Sequence, residues 1–244
     1  MTEQPKIIIG IDEAGRGPLF GRVYAAATIL PDTIQIDESR NGLIKDSKKF
    51  HSKKKITAAA EFVKKNALAW AISYEEPAMI DEINIRRATF RAMHNAIHQI
   101  LSKSKFCEAE DEGGVKYTEI DYKNILLHID GDGFTPYMVF DKEAGKMREI
   151  IHETIIGGDA KCAAIAAASI LAKVARDEYI ASLCSSRPEL VEKYAIHKNM
   201  GYGTREHIEG IKRYGYTDLH RRSFVLKNIT VDSGAAAAPP PQNA

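Results

Sequence analysis

Apolar and polar positions along the chain form two kinds of pattern, which together predict a layered α/β fold. Short apolar runs rich in β-branched residues and bounded by glycine or polar turns are typical of buried strands. Five such strands are predicted, at residues 7–11, 22–30, 67–74, 124–129 and 153–156. The first two lie close together along the chain, so we expect them to pair as an antiparallel hairpin.

Longer segments with apolar residues three or four positions apart predict helices between and after these strands. Ser52 and Asn84 are suited to cap two of the helices. The helices are predicted at residues 52–65, 84–101 and 160–185, with shorter ones beginning at Pro77 and at residues 188–194 and 204–213. Residues 31–51 and 102–123 are predicted surface loops, and residues 134–152 a hairpin-like excursion. This order predicts an α/β domain with a mixed sheet, followed by a helical appendage.

Composition narrows the class of protein without identifying it. The 244 residues are 44% hydrophobic, enough for a sizeable core, and 34 Lys and Arg offset 33 Asp and Glu. Net charge therefore gives no general reason to expect nucleic-acid binding, and any basic surface must be local. The three cysteines lack metal-site spacing, and no stretch approaches the roughly 18 apolar residues of a membrane span. We expect a soluble, cytoplasmic protein without a membrane partner.

Acidic residues follow three of the predicted strands, each with a glycine within two residues. Asp12 and Glu13 follow the first strand, Asp130 follows the fourth, and Asp159 follows the fifth. Carboxyl ends of parallel strands meet at one edge of a sheet, where α/β proteins bind ligands. Four converging carboxylates would repel one another, so the pattern predicts a divalent metal site. Ligands that are all oxygens favour Mg²⁺ or Mn²⁺ over zinc.

Each acidic position also has an ordinary structural interpretation. Asp12 and Glu13 can be solvated charges, because neighbours on a strand point to opposite faces and can share a site only if the strand ends there. Asp130 lies in a Gly-rich turn, and Asp159 is a natural helix N-cap. Asp177, in the middle of a helix near Lys173, is predicted to form a structural ion pair.

Glycine and basic residues supply candidate contacts for an anion. Gly15 and Gly17 flank Arg16, which leaves backbone N–H groups uncovered beside a cation. Tyr202 lies between two glycines, where it can stack on a base or sugar or hydrogen-bond a hydroxyl. Residues 45–55 hold six lysines, and residues 220–222 read His-Arg-Arg. Solvated surface is the default for each basic segment, but together with a metal site they suit a phosphate backbone.

Other chemistries lack their motifs. The chain has no G-x-x-x-x-G-K-[ST] phosphate loop, no G-x-S-x-G elbow and no H-E-x-x-H zinc motif. The Asp130-Gly-Asp-Gly turn differs from a calcium loop, because Phe134 stands at its fifth position and no glutamate stands at its twelfth.

Seven motifs resemble those of type 2 ribonuclease H, the ribonuclease HII family. They are residues 12–19 (DEAGRGPL), 46–49 (DSKK), 84–85 (NI), 129–131 (IDG), 158–161 (GDAK), 166–177 (AAASILAKVARD) and 201–202 (GY). Their order is that of the family, and the resemblance spans about residues 7–224. It implies a ribonuclease H-like mixed five-stranded sheet flanked by helices, with a C-terminal helical region.

The resemblance also implies a substrate and roles for individual residues. It implies endonucleolytic cleavage of RNA in RNA–DNA hybrids, and incision at single ribonucleotides in duplex DNA. Asp12, Glu13, Asp130 and Asp159 match the family's catalytic, metal-binding carboxylates. Gly15, Arg16, Gly17 and Tyr202 match elements that sense the 2′-hydroxyl, and Lys48 matches a position near the substrate backbone. We expect two Mg²⁺ or Mn²⁺ ions bridged by Asp12, with products bearing 5′-phosphate and 3′-hydroxyl ends.

On this basis the chain divides into three predicted parts. Residues 1–185 form the ribonuclease H-like catalytic core, residues 186–231 a C-terminal helical substrate-binding region, and residues 232–244 a disordered tail. We expect a monomer. The family leaves room for contact with a sliding clamp, although the tail carries no convincing clamp-binding motif.

Two alternatives stay open at this point. A junction resolvase on the same fold would need the acidic cluster but not the Gly-Arg-Gly and Tyr202 pair. A non-catalytic hybrid-binding subunit would have a damaged carboxylate set, whereas all four carboxylates are present here.

Overall fold

A computed structural model describes residues 7–39, 42–102, 105–111, 114–119 and 121–226. The strands are β1 (Ile7–Ala14), β2 (Val23–Ile29), β3 (Ala69–Glu75), β4 (Lys105–Asp111), β5 (Gly114–Glu119), β6 (Ile125–Asp130), β7 (Met138–Asp141), β8 (Lys146–Glu149) and β9 (His152–Ile155). The helices are α1 (Lys53–Asn66), α2 (Pro77–Ile83), α3 (Ile85–Leu101), α4 (Ala163–Ser186), α5 (Pro188–Tyr194), α6 (Ile196–Asn199) and α7 (Arg205–Tyr214).

Five strands form one mixed sheet in the order β3-β2-β1-β6-β9. β1 pairs antiparallel with β2, which pairs antiparallel with β3. β1, β6 and β9 are parallel to one another, so their carboxyl ends lie at one edge of the sheet. The predicted mixed five-stranded sheet and the predicted β1–β2 hairpin are both confirmed.

Helices cover both faces of the sheet and bury separate apolar clusters. On one face, α3 packs Met93, Ile97 and Ile100 against Ile9 and Ile11 of β1. On the other face, the alanine-rich half of α4 and the apolar side of α1 pack around β2. The small alanine side chains let α4 approach the strands closely, so this helix lies directly over the strand that carries the first acidic pair.

Gly10 shows how close that approach is. A Cβ at this position would lie 2.2 Å from the backbone carbon of Ala164 and 2.4 Å from the nitrogen of Ile165. Real Cβ atoms do not come this near backbone atoms, so α4 can begin where it does only because β1 carries a glycine.

Two local predictions are wrong. Residues 102–123 are not a loop, because β4 and β5 form an antiparallel hairpin within them. A two-stranded hairpin outside the main sheet needs no apolar run, which is why the hydrophobic pattern missed it. β1 also does not end at Asp12 but continues through Ala14. The excursion predicted at residues 134–152 is a hairpin, formed by β7 and β8.

The three C-terminal helices pack at the far end of α4. Leu190, Ile196 and Ile211 form an apolar cluster there with Leu19 and Phe20 from the loop after β1. The tail predicted at residues 232–244 lies outside the described residues. Among the helices that the structure describes, none is both long and apolar enough to cross a membrane.

Candidate active site

The four acidic residues lie at the edge where the three parallel strands end. Pairing between β1 and β6 stops at Ile11 and Ile129, so on that side Asp12 and Glu13 extend past the neighbouring strand. Asp130 is the last residue of β6 and lies opposite Ile155 of β9. The chain then turns at Gly157, which has a φ of 64°, into a short 3₁₀ turn that contains Asp159. Strand topology therefore brings all four positions to one edge.

Asp12 is buried and belongs to a hydrogen-bonded chain. Its side chain is 4% exposed, and it accepts hydrogen bonds from the Ser169 hydroxyl and from the backbone N–H of Glu13. The Ser169 and Ser47 hydroxyl oxygens are 2.9 Å apart. An ionised carboxylate only accepts, so Ser169 donates to Asp12 and Ser47 donates to Ser169. Burial, then the charges of Glu13 and Asp130, raise the pKa of Asp12 well above its ordinary value.

Glu13 shares the edge although the strand continues beyond it. Burial raises the pKa of Glu13, as does the charge of Asp130, while Arg16 acts in the opposite direction. The Arg16 guanidinium donates to the Glu13 carboxylate at 3.2 Å. The expectation that the strand ends before these carboxylates is wrong, since β1 continues through Ala14, and it is the end of β6 that leaves this side of β1 open.

Asp130 and Asp159 are held by the turn after β9 and by a lysine. The backbone N–H of Gly158 donates to Asp130 Oδ1 at 2.7 Å. Asp159 is 5% exposed, and Lys48 Nζ lies 3.5 Å from its Oδ2. Burial and then Asp46 raise the pKa of Asp159, which Lys48 opposes. The alternative N-cap role for Asp159 is wrong, because Cys162 occupies that position before α4.

The donor set suits a hard divalent cation, although the side chains are not gathered around one point. Within the described ranges, no group of three or more His, Cys, Asp or Glu residues is arranged to hold a metal ion. Arg16 and Lys48 instead neutralise part of the acidic charge. Burial and mutual repulsion leave Asp12, Glu13 and Asp159 with raised pKa values, which a cation bound by carboxylate oxygens would reverse.

The glycine loop, which we define as residues Gly15–Gly17, and Tyr202 lie against each other beside this cluster. A Cβ on Gly17 would stand 3.4 Å from Cε1 of the Tyr202 ring. The backbone N–H of Leu19 donates to the carbonyl of Gly201 at 2.8 Å, which fixes the two loops together. Tyr202 is 50% exposed, so its ring is available to a ligand. The sequence predicted both elements, and the structure places them side by side.

Some residues around the site were missed or misinterpreted. Ser169 lies in an apolar stretch of α4, and its serine among alanines was the only signal for it. The sequence predicts a solvated or phosphate-binding segment at His220 and Arg221, but both residues are buried. Lys45 is also buried, and it donates to the carbonyl of Ser39 at 2.8 Å. The predicted Lys173–Asp177 ion pair is confirmed, with Nζ 2.6 Å from Oδ2.

Comparison with known proteins identifies the family. The family model described as ribonuclease HII matches residues 9–227. A ribonuclease HII from Bacteroides thetaiotaomicron is 40% identical over 217 residues, which cover 89% of this chain and 88% of the relative.

Solved structures with the same fold agree. A ribonuclease HII from Archaeoglobus fulgidus, described as a complex with PCNA, matches with a TM-score of 0.58 at 21% identity, covering 93% of this chain and 98% of that chain. Bst-RNase HIII in complex with Mn²⁺ matches with a TM-score of 0.54 at 15% identity, covering 91% of this chain and 68% of that chain. These likenesses support the fold. With the family match over most of its length, the chain belongs to the ribonuclease HII family, metal-dependent endoribonucleases that cleave RNA in RNA–DNA hybrids.

Proposed function

We propose that this protein also incises duplex DNA at a single embedded ribonucleotide. The observation that carries the proposal is the contact between the glycine loop and Tyr202, whose ring lies 3.4 Å from a Cβ built on Gly17. Arg16, in the middle of the same loop, reaches the Glu13 carboxylate. The Gly15–Gly17 loop and Tyr202, which together could recognise one sugar, therefore lie next to the acidic cluster. We call these two elements the reader. An enzyme that acts on one nucleotide requires this arrangement.

The reader has groups suited to a 2′-hydroxyl and its neighbouring phosphate. Along the described chain, the backbone N–H groups of Arg16 and Gly17 donate to no protein acceptor. The Tyr202 ring can stack on the sugar or base, and its phenol can hydrogen-bond a hydroxyl. A 2′-hydroxyl is what distinguishes the ribonucleotide from its DNA neighbours, so recognition concentrated at this point suffices.

Hydrolysis would occur at the carboxylate edge. Asp12, Glu13, Asp130 and Asp159 would hold two divalent ions, Mg²⁺ or Mn²⁺, which when bound neutralise phosphate charge and lower the pKa of water. Ser169 keeps Asp12 oriented, and release of Asp159 from Lys48 would free that lysine for the substrate backbone. Water would add to phosphorus as the bond to the 3′-oxygen breaks, leaving 5′-phosphate and 3′-hydroxyl ends.

A contact with a sliding clamp remains a separate proposal about partners. The A. fulgidus relative is described as a complex with PCNA. In this chain we found no convincing clamp-binding motif in the tail, so binding of a clamp would be tested on the full chain by direct titration, with loss on deletion of residues 227–244 locating the contact.

Two variants of Tyr202 test the proposed function. Tyr202→Ala removes the ring and the phenol, a loss of about 1–3 kcal/mol for stacking alone. About 1.4 kcal/mol is tenfold in rate, so we expect cleavage at a lone ribonucleotide to fall roughly ten- to hundredfold. A long hybrid offers many 2′-hydroxyls and an A-like shape, so its cleavage should fall less. Tyr202→Phe keeps the ring and separates stacking from hydrogen bonding.

The cleavage rates of the unmodified protein and of the two variants are measured on a duplex with one ribonucleotide, on an RNA–DNA hybrid and on all-DNA duplex. Equal slowing of the first two substrates would show that Tyr202 is a general substrate contact. Cleavage of all-DNA duplex by the unmodified protein at a similar rate would refute the proposed function.

A further inference from the structure

Arg221 is a fully buried arginine whose side chain, within the described residues, forms hydrogen bonds to backbone carbonyls of the loop after β1 and also lies over the Phe224 ring. Arg221 is 0% exposed. Its guanidinium donates from Nε to Gly21 (2.8 Å), from Nη1 to Arg16 (3.0 Å) and Pro18 (2.8 Å), and from Nη2 to Gly15 (2.7 Å). Its own backbone N–H donates to the carbonyl of Leu19 at 2.8 Å. One side chain therefore binds four carbonyls of the loop, and the backbone of the same residue binds a fifth.

These contacts act on the two peptide groups that join Gly15, Arg16 and Gly17. The carbonyl of Gly15 shares its peptide with the N–H of Arg16, and the carbonyl of Arg16 shares its peptide with the N–H of Gly17. A cation bound to a carbonyl polarises that peptide, so each of these N–H groups becomes a stronger donor. Both N–H groups lack a protein acceptor in the described structure. Arg221 thus both orients and strengthens them.

His220, the residue before Arg221, connects through His207 to Tyr202, the second element of the reader. The N–H of Thr217 donates to His220 Nδ1 at 2.9 Å, so the proton of neutral His220 is on Nε2. That atom lies 3.1 Å from His207 Nε2, which must accept. His207 then carries its proton on Nδ1 and donates to the Tyr202 carbonyl at 2.9 Å. The chain of hydrogen bonds fixes both tautomers and ends at Tyr202.

A second buried arginine closes the arrangement from α4. Arg176 Nη2 donates to the carbonyl of Met200 at 2.8 Å, just before Gly201 and Tyr202. A Cβ on Gly15 would lie 2.3 Å from Arg176 Nε, so the glycine loop rests on this side chain. Gly15 also has a φ of +92°, which any other residue adopts with strain. Glycine is therefore required at this position for its backbone conformation as well as for the lack of space.

We infer that Arg221 and the His220–His207 pair are positioning residues, which hold the Gly15–Gly17 loop and Tyr202 in register and thereby set the preference for a lone ribonucleotide. This rests on the proposed function of those two elements. Neither Arg221 nor the histidines need touch the substrate. Their effect falls on recognition of one 2′-hydroxyl, because an RNA–DNA hybrid offers the protein many other 2′-hydroxyls and a distinct helical shape.

Arg221→Lys is the first test. Lysine keeps the positive charge but has three donors on one atom, so it cannot reproduce the four-carbonyl fork. A displacement of about 1 Å in a positioned group can cost on the order of a hundredfold in rate, so we expect a ten- to hundredfold loss on the single-ribonucleotide duplex and a loss of about threefold or less on the hybrid. Arg148→Lys makes the same change on the exposed hairpin and should leave both rates unchanged.

Rates are measured well below the melting temperature of each variant, so that only folded protein contributes. His207→Gln is a second variant that breaks the link to Tyr202 from the other side, and it should give the same selective loss. If Arg221→Lys does not fold, the ratio for His207→Gln decides.

Tyr202→Ala, assayed in parallel, separates two kinds of failure. If Tyr202→Ala is selective but the Arg221 and His207 variants slow both substrates equally, the positioning role is refuted and the proposed function stands. If Tyr202→Ala itself is not selective, Tyr202 is a general substrate contact and the positioning role is refuted, while the proposed function is judged by the comparison with all-DNA duplex. Selective loss in all three variants supports both.

Discussion

Replacing His220 by glutamine should make the free energy of unfolding less sensitive to acid. His220 is 1% exposed and lies between His207 and Thr217. Burial, then the nearby His207 and Arg222, lower the pKa of His220 to about 3. Glutamine does not titrate, and its amide can still donate to His207, so the variant removes one protonation step while keeping a hydrogen-bond donor at the same place.

The sign follows from proton binding in the two states. The unfolded chain binds this proton with a pKa of about 6.5, whereas the folded protein binds it only near pH 3. Unfolding therefore takes up a proton in acid. The stabilising contribution is complete above about pH 6.5 and is lost as the pH falls towards 3.

The size of the effect is set mainly by the pKa of the unfolded chain, because pH 4.5 is still above the pKa of folded His220. Linkage gives a loss of roughly 2–3 kcal/mol for this one group between pH 7 and pH 4.5. His207 adds to the same trend, since burial lowers its pKa too. Arg222 faces the pair as a further positive charge and opposes protonation throughout this range.

The assay is urea unfolding at pH 7 and pH 4.5 for the unmodified protein and for His220→Gln. Other titrating groups are the same in both proteins, so the difference between their acid-induced losses isolates His220. We expect His220→Gln to lose roughly 2–3 kcal/mol less than the unmodified protein over this interval. His51→Gln, at an exposed histidine, is the matched control and should show no such difference. Losses equal to within about 0.5 kcal/mol would refute the assignment of a buried neutral histidine pair.

Two more changes probe the carboxylate edge and the sheet beneath it. Asp12→Asn should abolish cleavage while substrate binding stays near its original strength, and excess chelator should abolish cleavage by the unmodified protein. In chelator, Asp12→Asn should melt at a higher temperature than the unmodified protein, because it removes a buried carboxylate whose raised pKa costs about 1.4 kcal/mol for each pH unit above its ordinary value. Full activity in chelator would contradict the metal assignment. Gly10→Ala should destabilise the fold by roughly 1–3 kcal/mol or more, because the new Cβ meets Ala164 at 2.2 Å, and an unchanged urea midpoint would show that α4 can move away.

Features fixed by local pattern were predictable from the sequence. The apolar runs located all five strands of the main sheet, and Asn84 caps α3 as predicted, accepting from the N–H of Arg87. The acidic residues came together because they follow parallel strands, and parallel strands end at the same edge. One periodicity and one rule of topology were enough for these features, since neither depends on detailed side-chain packing.

Features fixed by distant contacts were not predictable. Arg221 binds carbonyls at positions about 200 residues earlier in the chain, so no local spacing reveals its burial. A charged residue in a polar segment is exposed more often than buried, and that prior misplaced His220 and Arg221. Gly10 raised the same difficulty, because the reason for a glycine there is the backbone of a helix that begins more than 150 residues later.

The two halves of the site therefore use different physical means to become rigid. Asp12, Glu13 and Asp130 lie on paired strands, and Asp159 lies in the 3₁₀ turn that follows β9, so regular backbone structure already holds these positions. The glycine loop has no such support, and ordering a free backbone costs about 1–2 kcal/mol per residue when a ligand binds. Arg221 fixes that loop in advance through hydrogen bonds to its carbonyls, and Arg176 does the same for the Tyr202 segment at the Met200 carbonyl, so this cost is met during folding and not when the substrate binds. Burying a guanidinium that forms no salt bridge with any described carboxylate costs free energy, and burial lowers the pKa of Arg221 to about 9. The loop carbonyls offset the free-energy cost of burying Arg221 only when the loop keeps its conformation. The stability of the C-terminal region therefore depends on the conformation of the Gly15–Gly17 loop.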